Sequence, residues 1–388
     1  MIQRVAIVGC GISGLSLATS LKRLKSKVCE VVIFDSHDDL QKFRSDHVQI
    51  SGALYVLDKL GIKKELEDIS QHTKRIIYTL EGETIVDIGL RNEGLDSTTF
   101  TTNRRSLRKL LIKSTFSAVH RFEETKQLTE TDYDSKIIFK KNKRLLSIEE
   151  DHITGKVSLI FDDNSREENF DLVVGADGSL STVRQFTEFQ SDTVLSSIPL
   201  LKKSSLARGL QDYGLGVSLC VTPALSKISS KTFCNCKGAL KCKCCGTLPH
   251  ECNCLHQSLL SYTVENYGDC RHWVGDGADI YTFLIGNYDD PKLSLHVFHQ
   301  KDRSMPSHDS AKVDETSAGN YGEFVRKLIL DAGMDEMKET SLFSIVEAAR
   351  EENGYVTDIA LKEMFAPLRS WSSASGRILL VGDSAHPM

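Results

Sequence analysis

The chain has 388 residues, of which 40% are hydrophobic and 26% are charged, and its formal net charge is −5. This length and this apolar content suffice for one large domain or two ordinary ones with a substantial core. The small net charge favours neither a nucleic-acid groove nor a polybasic membrane surface, so we expect a small-molecule partner and no nucleic-acid partner.

Two further features concern the compartment. The longest uncharged run, Val5 to Leu21, is shorter than the ~20 apolar residues of a membrane span and is interrupted by glycines, so no membrane span is predicted. Scattered single thiols are typical of a reducing compartment, which predicts a cytoplasmic protein. The scattered cysteines are Cys10, Cys29, Cys220 and Cys270.

The chain opens with the pattern of a strand, a glycine-rich turn and a helix. A β-branched run from Arg4 to Val8 precedes the turn Gly9 to Gly14, and apolar residues then recur at helical spacing from Leu15 to Leu24. A second strand, Glu30 to Phe34, leads to Asp35, 21 positions after the last glycine of the turn. These elements predict one βαβ unit.

The residue types of this unit suit a dinucleotide. Gly9 permits the tight turn, Gly11 lets the backbone approach a pyrophosphate, and Gly14 lets the helix pack against the strand. The anion is expected at the helix N-terminus. Asp35 accepts hydrogen bonds from ribose hydroxyls and repels a 2′-phosphate, so FAD or NAD is expected, and the position at the start of the chain favours FAD by analogy. The residues predicted to contact the cofactor here are Gly9, Gly11, Ile12, Ser13, Gly14 and Asp35.

A second motif follows a predicted β-meander. Three strand-like segments separated by polar turns cover Lys143 to Asp151, Lys156 to Asp163 and Glu168 to Ala176. The last segment enters the string DLVVGADGSLSTVR, where Asp177 and Gly178 follow a buried apolar strand, Asp171 to Ala176. Arg184 lies on the helix-like start that comes next and is placed to return toward the strand end. Like the glycine turn, this arrangement is expected to direct Asp177, Gly178 and Arg184 toward a bound ligand.

The third motif is GRILLVGDSAHPM at the end of the sequence. It presents another buried strand, Arg377 to Val381. Ligands of open α/β sheets gather beyond the carboxyl ends of strands. The residues predicted to contact the cofactor there are Gly382, Asp383, Ala385, His386 and Pro387.

These three motifs, in this order and spacing, resemble those of the FAD-dependent aromatic-ring monooxygenases of the para-hydroxybenzoate hydroxylase type. The resemblance implies FAD as the cofactor and NAD(P)H as the reductant, with no separate Rossmann unit for NAD(P)H. It also implies that Asp383 holds the ribityl chain of FAD. Asp177 and Gly178 would serve both the pyrophosphate region of FAD and the passing nicotinamide cofactor.

Two arginines extend the resemblance. Arg104 opens the pattern Arg-x-x-Leu-Arg-x-x-Leu, which looks like the family's helix whose first arginine reaches the flavin nucleotide. The alternative is a solvated helix face, because three more basic residues follow, namely Arg105, Arg108 and Lys109. Arg44 resembles the arginine that precedes the family's flavin-side loop.

The sequence also departs from the family pattern. Ser45-Asp46-His47 replaces the usual glycine-rich turn and adds bulk and charge where the isoalloxazine would swing, which puts flavin mobility in doubt. The acid after the second strand is commonly Glu in the family. Asp35 is shorter by one methylene and is still expected to reach the ribose.

The sequence ends at Met388, where the resemblance implies a glycine-containing loop and a long helix facing the flavin pyrimidine. A buried strand without cover exposes amides and apolar surface, which favours a truncated or variant product. We therefore expect the chain as given to bind FAD weakly, because the helix dipole that stabilises reduced flavin is missing. A purified protein with stoichiometric flavin would contradict this expectation.

A cysteine-rich segment spans residues 232–256. Dense thiolates invite Zn²⁺, but structural zinc sites favour two to four residues between paired ligands, and this spacing fits no standard zinc module. We therefore predict no metal site and a Lys- and Cys-rich insertion, and metal analysis of the purified protein tests the alternative. The alternative zinc ligands are Cys234, Cys236, Cys242, Cys244, Cys245, Cys252 and Cys254.

The predicted fold is α/β, with a Rossmann-like FAD-binding part, a parallel sheet plus β-meander, interleaved with a β-rich substrate layer. The FAD-binding part is predicted to comprise residues 1–82, 100–186 and 355–388. The substrate part is predicted to comprise residues 83–99 and 187–354. Gly214 to Val221 and Asp279 to Asn287 are predicted strands of the substrate floor.

The resemblance implies an FAD-dependent monooxygenase that hydroxylates an aromatic or other electron-rich small molecule with NAD(P)H and O₂. The cofactor carries the difficult chemistry, so no catalytic acid or base is assigned. His386 is interpreted as a structural neighbour of FAD and Trp371 as a packing residue. The alternatives are a related flavin reductase or halogenase, and a truncated, catalytically silent protein with the same fold.

Overall fold

The computed structural model describes residues 2–23, 28–37, 47–50, 53–72, 74–78, 84–88, 100–116, 136–188, 210–223, 269–274, 278–285, 292–300, 315–334, 340–350, 354–364 and 370–386. The strands in these ranges are β1 (Arg4–Val8), β2 (Glu30–Phe34), β3 (His47–Ile50), β4 (Ser70–His72), β5 (Lys74–Tyr78), β6 (Thr84–Ile88), β7 (Phe100–Asn103), β8 (Lys136–Lys140), β9 (Leu145–Asp151), β10 (Lys156–Phe161), β11 (Arg166–Phe170), β12 (Leu172–Gly175), β13 (Leu210–Val221), β14 (Asp269–Val274), β15 (Ala278–Ile285), β16 (Lys292–Gln300), β17 (Tyr355–Met364) and β18 (Ile378–Leu380). The helices are α1 (Ile12–Arg23), α2 (Leu54–Lys59), α3 (Lys63–Glu67), α4 (Arg104–Phe116), α5 (Thr182–Glu188), α6 (Glu315–Asp331) and α7 (Thr340–Ala348). Within the described part of the chain, no helix combines the length and the apolar character that a membrane crossing requires.

A five-stranded parallel sheet forms the first layer, with the strand order β18-β12-β1-β2-β8. Its central strands β1 and β2 are β-branched runs buried on both faces, as parallel sheets require. Helices α1 and α4 share an apolar core with one face. The meander β9-β10-β11 packs on the other face, where the ring of Phe34 lies 4.8 Å from that of Phe161. The predicted α/β fold is therefore confirmed, and the carboxyl ends of all five strands lie along one edge.

The last meander segment, predicted from Glu168 to Ala176, is two strands, and the buried strand predicted within it from Asp171 to Ala176 corresponds to β12. Strand β11 pairs antiparallel with β10, whereas β12 pairs parallel with β1. Asp171 separates them, because its carboxylate accepts hydrogen bonds from the backbone amides of Gln3 at 2.8 Å and Arg4 at 2.9 Å. The same carboxylate accepts a hydrogen bond from Lys156 at 2.6 Å. These bonds hold the point where the chain leaves the meander and enters the parallel sheet.

A seven-stranded sheet forms the second layer, in the order β17-β13-β16-β15-β14-β5-β6. The segments predicted as substrate-floor strands, Gly214 to Val221 and Asp279 to Asn287, correspond to β13 and β15, but β16 lies between them. Helices α6 and α7 cover one face of the sheet through a single apolar cluster. This face contains the core of the second layer.

The two sheets divide the chain differently from the predicted ranges. Strands β5 and β17 hydrogen-bond into the seven-stranded sheet, although residues 1–82 and 355–388 were assigned to the FAD-binding part. Strand β5 pairs parallel with β14, a long-range pairing that no local sequence pattern reveals. The chain thus crosses between the layers more than once.

A small antiparallel sheet, β3-β7-β4, links the two layers. Its strands β4 and β7 contact β15 of the seven-stranded sheet. Strand β7 runs directly into α4, whose first turn is capped by the side-chain oxygen of Asn103, which accepts hydrogen bonds from the amides of Arg105 and Ser106. The cap fixes where α4 begins, and therefore which of its residues face α1.

Candidate functional site

The carboxyl edge of the parallel sheet begins with the glycine turn between β1 and α1. Gly9 has a φ of +105°, and a Cβ built there would lie 2.3 Å from the carbonyl oxygen of Ala176 beyond β12. A Cβ at Gly14 would lie 2.1 Å from the carbonyl oxygen of Gly9. Both distances are far shorter than van der Waals contact, so only glycine fits at the two positions where β1, β12 and α1 meet.

Gly11 differs from these two packing glycines, because a Cβ placed there has no heavy atom of the described residues within 4 Å, apart from its own chain neighbours. It directly precedes α1, whose first residues are Ile12 and Ser13. The first amides of a helix lack intrahelical partners and carry partial positive charge. The space beside Gly11 therefore has the geometry and the polarity that a pyrophosphate needs.

Asp35 is buried at the base of the same turn, directly after β2. Its Oδ2 accepts a hydrogen bond from the backbone amide of Cys10 at 2.8 Å, and its Oδ1 accepts one from the backbone amide of His37 at 2.9 Å. The carboxylate thus fixes the backbone of the turn. Burial raises the pKa of the Cys10 thiol to about 12, so that side chain is a neutral packing group and offers no nucleophile.

Arg108 of α4 reaches this turn from the other side. It is 4% exposed, and its Nε donates a hydrogen bond to the carbonyl oxygen of Cys10 at 2.9 Å. Its Nη2 lies 4.0 Å from Oδ2 of Asp35. A permanent positive charge therefore stands beside the turn that suits a pyrophosphate. Arg104, the arginine that the resemblance favours, is exposed at the start of the same helix.

The position of Arg108 on α4 could have been predicted from the helical spacing of its apolar residues, although the alternative of a solvated helix face counted Arg108 among the exposed basic residues. Arg108 precedes Ile112 by one helical turn and Thr115 by two, and all three are buried. Thr115 also shares a hydrogen bond of 2.8 Å with Thr19 of α1. An arginine at helical spacing from residues that pack on a neighbouring helix is predicted to be buried, even where the residues next to it in sequence are basic and exposed.

Asp177 follows β12 and binds the first turn of α5. Its carboxylate accepts hydrogen bonds from Ser181 Oγ at 2.6 Å, from the amide of Thr182 at 2.7 Å and from Ser384 Oγ at 3.2 Å. Burial raises the pKa of the Asp177 carboxyl, although the hydrogen bonds from Ser181 and Thr182 oppose the shift. The side chain joins the second motif to the third. Gly178 has a φ of +81°, and its backbone amide donates a hydrogen bond to Ser384 Oγ at 3.2 Å. Among the described residues, nothing lies within 4 Å of a Cβ built on Gly178.

Arg184 is fully buried and clamps the third motif onto the second. Its Nη1 donates hydrogen bonds to the carbonyl oxygens of Ser384 at 2.9 Å and Asp383 at 3.3 Å. Its Nη2 donates to the carbonyl oxygen of Ser179. The guanidinium thus returns to the strand ends, and it satisfies three carbonyl groups of two turns at once.

Gly382 brings the end of β18 against the first turn of α1. Its φ is +60°, and a Cβ built on it would lie 2.1 Å from Oγ of Ser13. Together with the contact between Gly9 and Ala176, this contact brings the ends of β1, β12 and β18 to one edge of the sheet. This edge of the sheet combines the open space beside Gly11, the first amides of α1, and the buried charges of Asp35 and Arg108.

The comparison with known protein families identifies the family of the chain. Residues 3–209, more than half of the 388-residue chain, match the family described as FAD binding domain. The chain belongs to this FAD-binding family. It is therefore a flavin-dependent oxidoreductase, and the resemblance to the FAD-dependent aromatic-ring monooxygenases is confirmed.

Solved structures share the fold of this FAD-binding family member. CtdE in complex with FAD has a TM-score of 0.64 at 15% identity, covering 100% of this chain and 79% of its own. HpxO of Klebsiella pneumoniae, complexed with FAD and uric acid, has a TM-score of 0.63 at 15% identity, covering 100% and 74%. PqsL of Pseudomonas aeruginosa has a TM-score of 0.60 at 16% identity, covering 100% and 79%. No curated protein sequence matches the chain.

Of the remaining predicted site residues, some lie in the described part of the third motif and the others lie outside the described residues. In the third motif, Asp383 and His386 are exposed, Ala385 is buried, and the ring of His386 lies 5.6 Å from the ring of the exposed Trp371. Trp371 is 57% exposed, so it is not the packed residue that the sequence indicated. The predicted residues that lie outside the described part of the chain are Arg44, Pro387 and the seven cysteines Cys234, Cys236, Cys242, Cys244, Cys245, Cys252 and Cys254.

Proposed function

We propose that this protein is an FAD-dependent monooxygenase that uses NAD(P)H and O₂ to hydroxylate an aromatic or other electron-rich small molecule. The observation that carries the proposal is the meeting of three strand ends beside Gly11, where no described residue outside its chain neighbours lies within 4 Å of a built Cβ. Two proteins of the same fold support it, since HpxO is complexed with FAD and uric acid and PqsL is described as a probable FAD-dependent monooxygenase.

The residues of the edge have distinct tasks in this proposal. Gly11 and the first amides of α1 receive the pyrophosphate of FAD, and Arg108 balances its negative charge. Gly178 contributes backbone on the side of β12. Asp35 holds the turn and faces the ribose, while the exposed Asp383 is available to the ribityl hydroxyls. When bound, FAD supplies electron transfer from NAD(P)H and the activation of O₂.

The second layer has a separate task. The seven-stranded sheet and its small linking sheet cover the flavin side and keep water from the reacting atoms, which a monooxygenase needs to avoid wasteful release of H₂O₂. In this proposal the parallel sheet with its meander binds FAD, and the seven-stranded sheet forms the substrate layer. The scattered thiols support a cytoplasmic location.

Gly11→Ala tests the cofactor site with little disturbance of the fold, because no described residue outside its chain neighbours lies within 4 Å of the added methyl group. We expect an unchanged melting temperature of the apoprotein and an FAD affinity at least about tenfold lower, since the methyl group occupies pyrophosphate space. Flavin fluorescence titration measures the affinity. Ser20→Ala, two turns further along α1, is the control and should bind FAD normally. Equal FAD affinity in Gly11→Ala and the natural chain would refute this site.

The reaction is tested by NAD(P)H oxidation, oxygen uptake and product analysis with candidate aromatic compounds. A compound that stimulates NAD(P)H oxidation and gains one oxygen atom supports the monooxygenase. Flavin reduction without oxygen transfer to any compound supports a reductase, and a protein that binds no flavin overturns the proposal.

A further inference from the structure

The carboxylate of Asp35 makes one hydrogen bond beyond those that fix the backbone of the glycine turn. Its Oδ2 accepts from the backbone amide of Cys10, and its Oδ1 accepts from the backbone amide of His37. The imidazole of His37 adds a further contact, because its Nδ1 lies 2.9 Å from the same Oδ1. A carboxylate accepts hydrogen bonds and cannot donate them, so Nδ1 carries the hydrogen of this bond. Oδ1 therefore has two donors and Oδ2 has one.

The two oxygens of this carboxylate face different surroundings. The groups near Oδ2 are buried, since Cys10 is fully buried and Arg108, whose Nη2 lies 4.0 Å from Oδ2, is 4% exposed. The His37 side chain at Oδ1 is 60% exposed, whereas the Asp35 side chain is 9% exposed. A ligand that enters from solvent therefore meets Oδ1, and the ring of His37 lies in front of that oxygen.

The backbone near Oδ1 is fixed, but the ring of His37 is free to rotate. The amide of Asp35 donates to the carbonyl oxygen of Lys140 at 3.1 Å, and the amide of Lys143 donates to the carbonyl oxygen of Asp35 at 2.8 Å. These bonds hold the main chain against β8 and the turn that follows it. Exposed side chains change rotamer within nanoseconds. Because each carboxylate oxygen accepts about two hydrogen bonds, another donor binds Oδ1 only after the ring has moved away.

We propose that the imidazole of His37 occupies the position on Asp35 that a ribose hydroxyl of FAD takes, and that the cofactor displaces the ring when it binds. The inference rests on the proposed function, in which Asp35 faces the ribose. A hydroxyl donates one hydrogen bond, as the Nδ1–H group does, so the two donors exclude each other at Oδ1. His37 thus sets the affinity for the cofactor by competition.

The exposure of the His37 ring limits the strength of this competition. A pair that is partly open to solvent is worth up to about 1 kcal/mol, which corresponds to a ratio of about five between the bound and the displaced ring. The apparent dissociation constant of a ligand rises in proportion when only the displaced ring leaves the site open. His37→Ala is therefore expected to bind FAD about fivefold more tightly than the natural chain does.

Titration of the apoprotein with FAD, followed by flavin fluorescence, measures this change. His152→Ala is the matched control, because His152 is an exposed histidine in the turn between β9 and β10. This control is expected to bind FAD as the natural chain does, and melting temperatures verify that both variants fold. Unchanged or weaker binding by His37→Ala overturns the inference, because a ring that supports the ribose or lies apart from it gives those results.

His37→Asn tests whether the hydrogen-bond donor of the ring causes the competition. The side-chain amide of asparagine keeps a donor near the position of Nδ1. This variant is expected to match the FAD affinity of the natural chain within about twofold. An asparagine variant that binds as tightly as His37→Ala overturns the role of the donor.

A series of nucleotides tests whether the ring competes with the ribose. ADP, 2′-deoxy-ADP and 3′-deoxy-ADP are titrated into the apoprotein and into His37→Ala by isothermal titration calorimetry. ADP is expected to gain about fivefold in affinity from the substitution, and at least one deoxynucleotide is expected to gain less than about twofold. Equal gains for all three nucleotides overturn the inference. A failure of ADP to bind also overturns it, because the ribose then has no place at Asp35.

The two sets of titrations separate this inference from the proposed function. A chain that binds FAD without any gain in His37→Ala loses the inference alone, and NAD(P)H oxidation with oxygen transfer still decides the reaction. A chain that binds no FAD loses the proposed function, and the ADP series still decides whether His37 competes for Asp35.

Discussion

At the scale of single residues, Arg108 is the charge on which the geometry of the glycine turn depends. Arg108→Met keeps an unbranched apolar stem but removes the guanidinium and its hydrogen bond to the carbonyl oxygen of Cys10. We expect a loss of about 2 kcal/mol in unfolding free energy, because the carbonyl group stays buried and the lost hydrogen bond is charge-assisted. Urea unfolding of the apoprotein measures it. Arg104→Met is the control at an exposed position of the same helix.

The comparison of these two arginines also decides between two interpretations of the cofactor site. The resemblance assigns the flavin nucleotide to Arg104, whereas the structure brings Arg108 to the turn. We expect Arg108→Met to lower FAD affinity more than Arg104→Met does. The reverse order would show that Arg104 moves onto the nucleotide when FAD binds.

Asp171 predicts an acid-sensitive step in stability. Burial would raise its pKa, but hydrogen bonds from Lys156 and from the amides of Arg4 and Gln3 outweigh this and lower the pKa from 3.8 to about 2. A depressed carboxyl pKa contributes stability above the unfolded-state pKa and loses it as pH falls toward the folded-state pKa. The contribution is therefore complete above about pH 5 and disappears between pH 4 and pH 2.

Asp171→Asn removes this titration. We expect the urea midpoint of the natural chain to fall more steeply between pH 4 and pH 2 than that of the variant, and the two slopes to agree between pH 5 and pH 7. Chemical unfolding followed by tryptophan fluorescence provides both slopes. Parallel curves over the whole acid range would contradict the assignment of the shift to Asp171.

Among the strands and helices, the local sequence pattern predicted those elements whose bounds depend on local interactions. The strand from Arg4 to Val8 and the strand from Glu30 to Phe34 were predicted with their observed bounds. The division between β11 and β12 was not, because Asp171 binds backbone amides 167 and 168 positions away. The pairing of β16 between β13 and β15 is likewise a long-range choice that no window of sequence contains.

The turn before α5 and the turn after β18 behave as one element because Arg184 holds both. Arg184→Lys keeps the charge but loses the fork that reaches three carbonyl oxygens. We expect amide hydrogen exchange in residues 382–386 to accelerate about tenfold or more, since about 1.4 kcal/mol of local stability corresponds to a factor of ten. Exchange in β1 and β2 should not change. Uniform acceleration across the sheet would show a global loss of stability instead.

For the molecule as a whole, the parallel arrangement of the first sheet explains which part of the candidate site could be predicted from the sequence. Motifs that follow parallel strands must meet at one edge, so the sequence predicted the neighbourhood of Gly9, Asp177 and Gly382. It did not predict which side chains face inward, because Asp177 binds α5 and Ser384 through contacts that only the assembled sheet creates. The clamp that Arg184 forms depends on the same long-range packing.

The contact between Gly382 and Ser13 joins segments 369 positions apart and tests whether this edge is one cooperative unit. Gly382→Ala adds a Cβ at a φ of +60° and within 2.1 Å of Oγ of Ser13, so the strand end must move away from α1. We expect a loss of about 2 kcal/mol or more in unfolding free energy, part from the backbone conformation and part from the clash. Ser13→Gly alone should cost about 1 kcal/mol, as glycine does in a helix. In the double variant the clash is relieved and the backbone term remains, so the two losses should fall short of additivity by about 1 kcal/mol. Additive losses in urea unfolding of the apoprotein would show that the two segments do not touch.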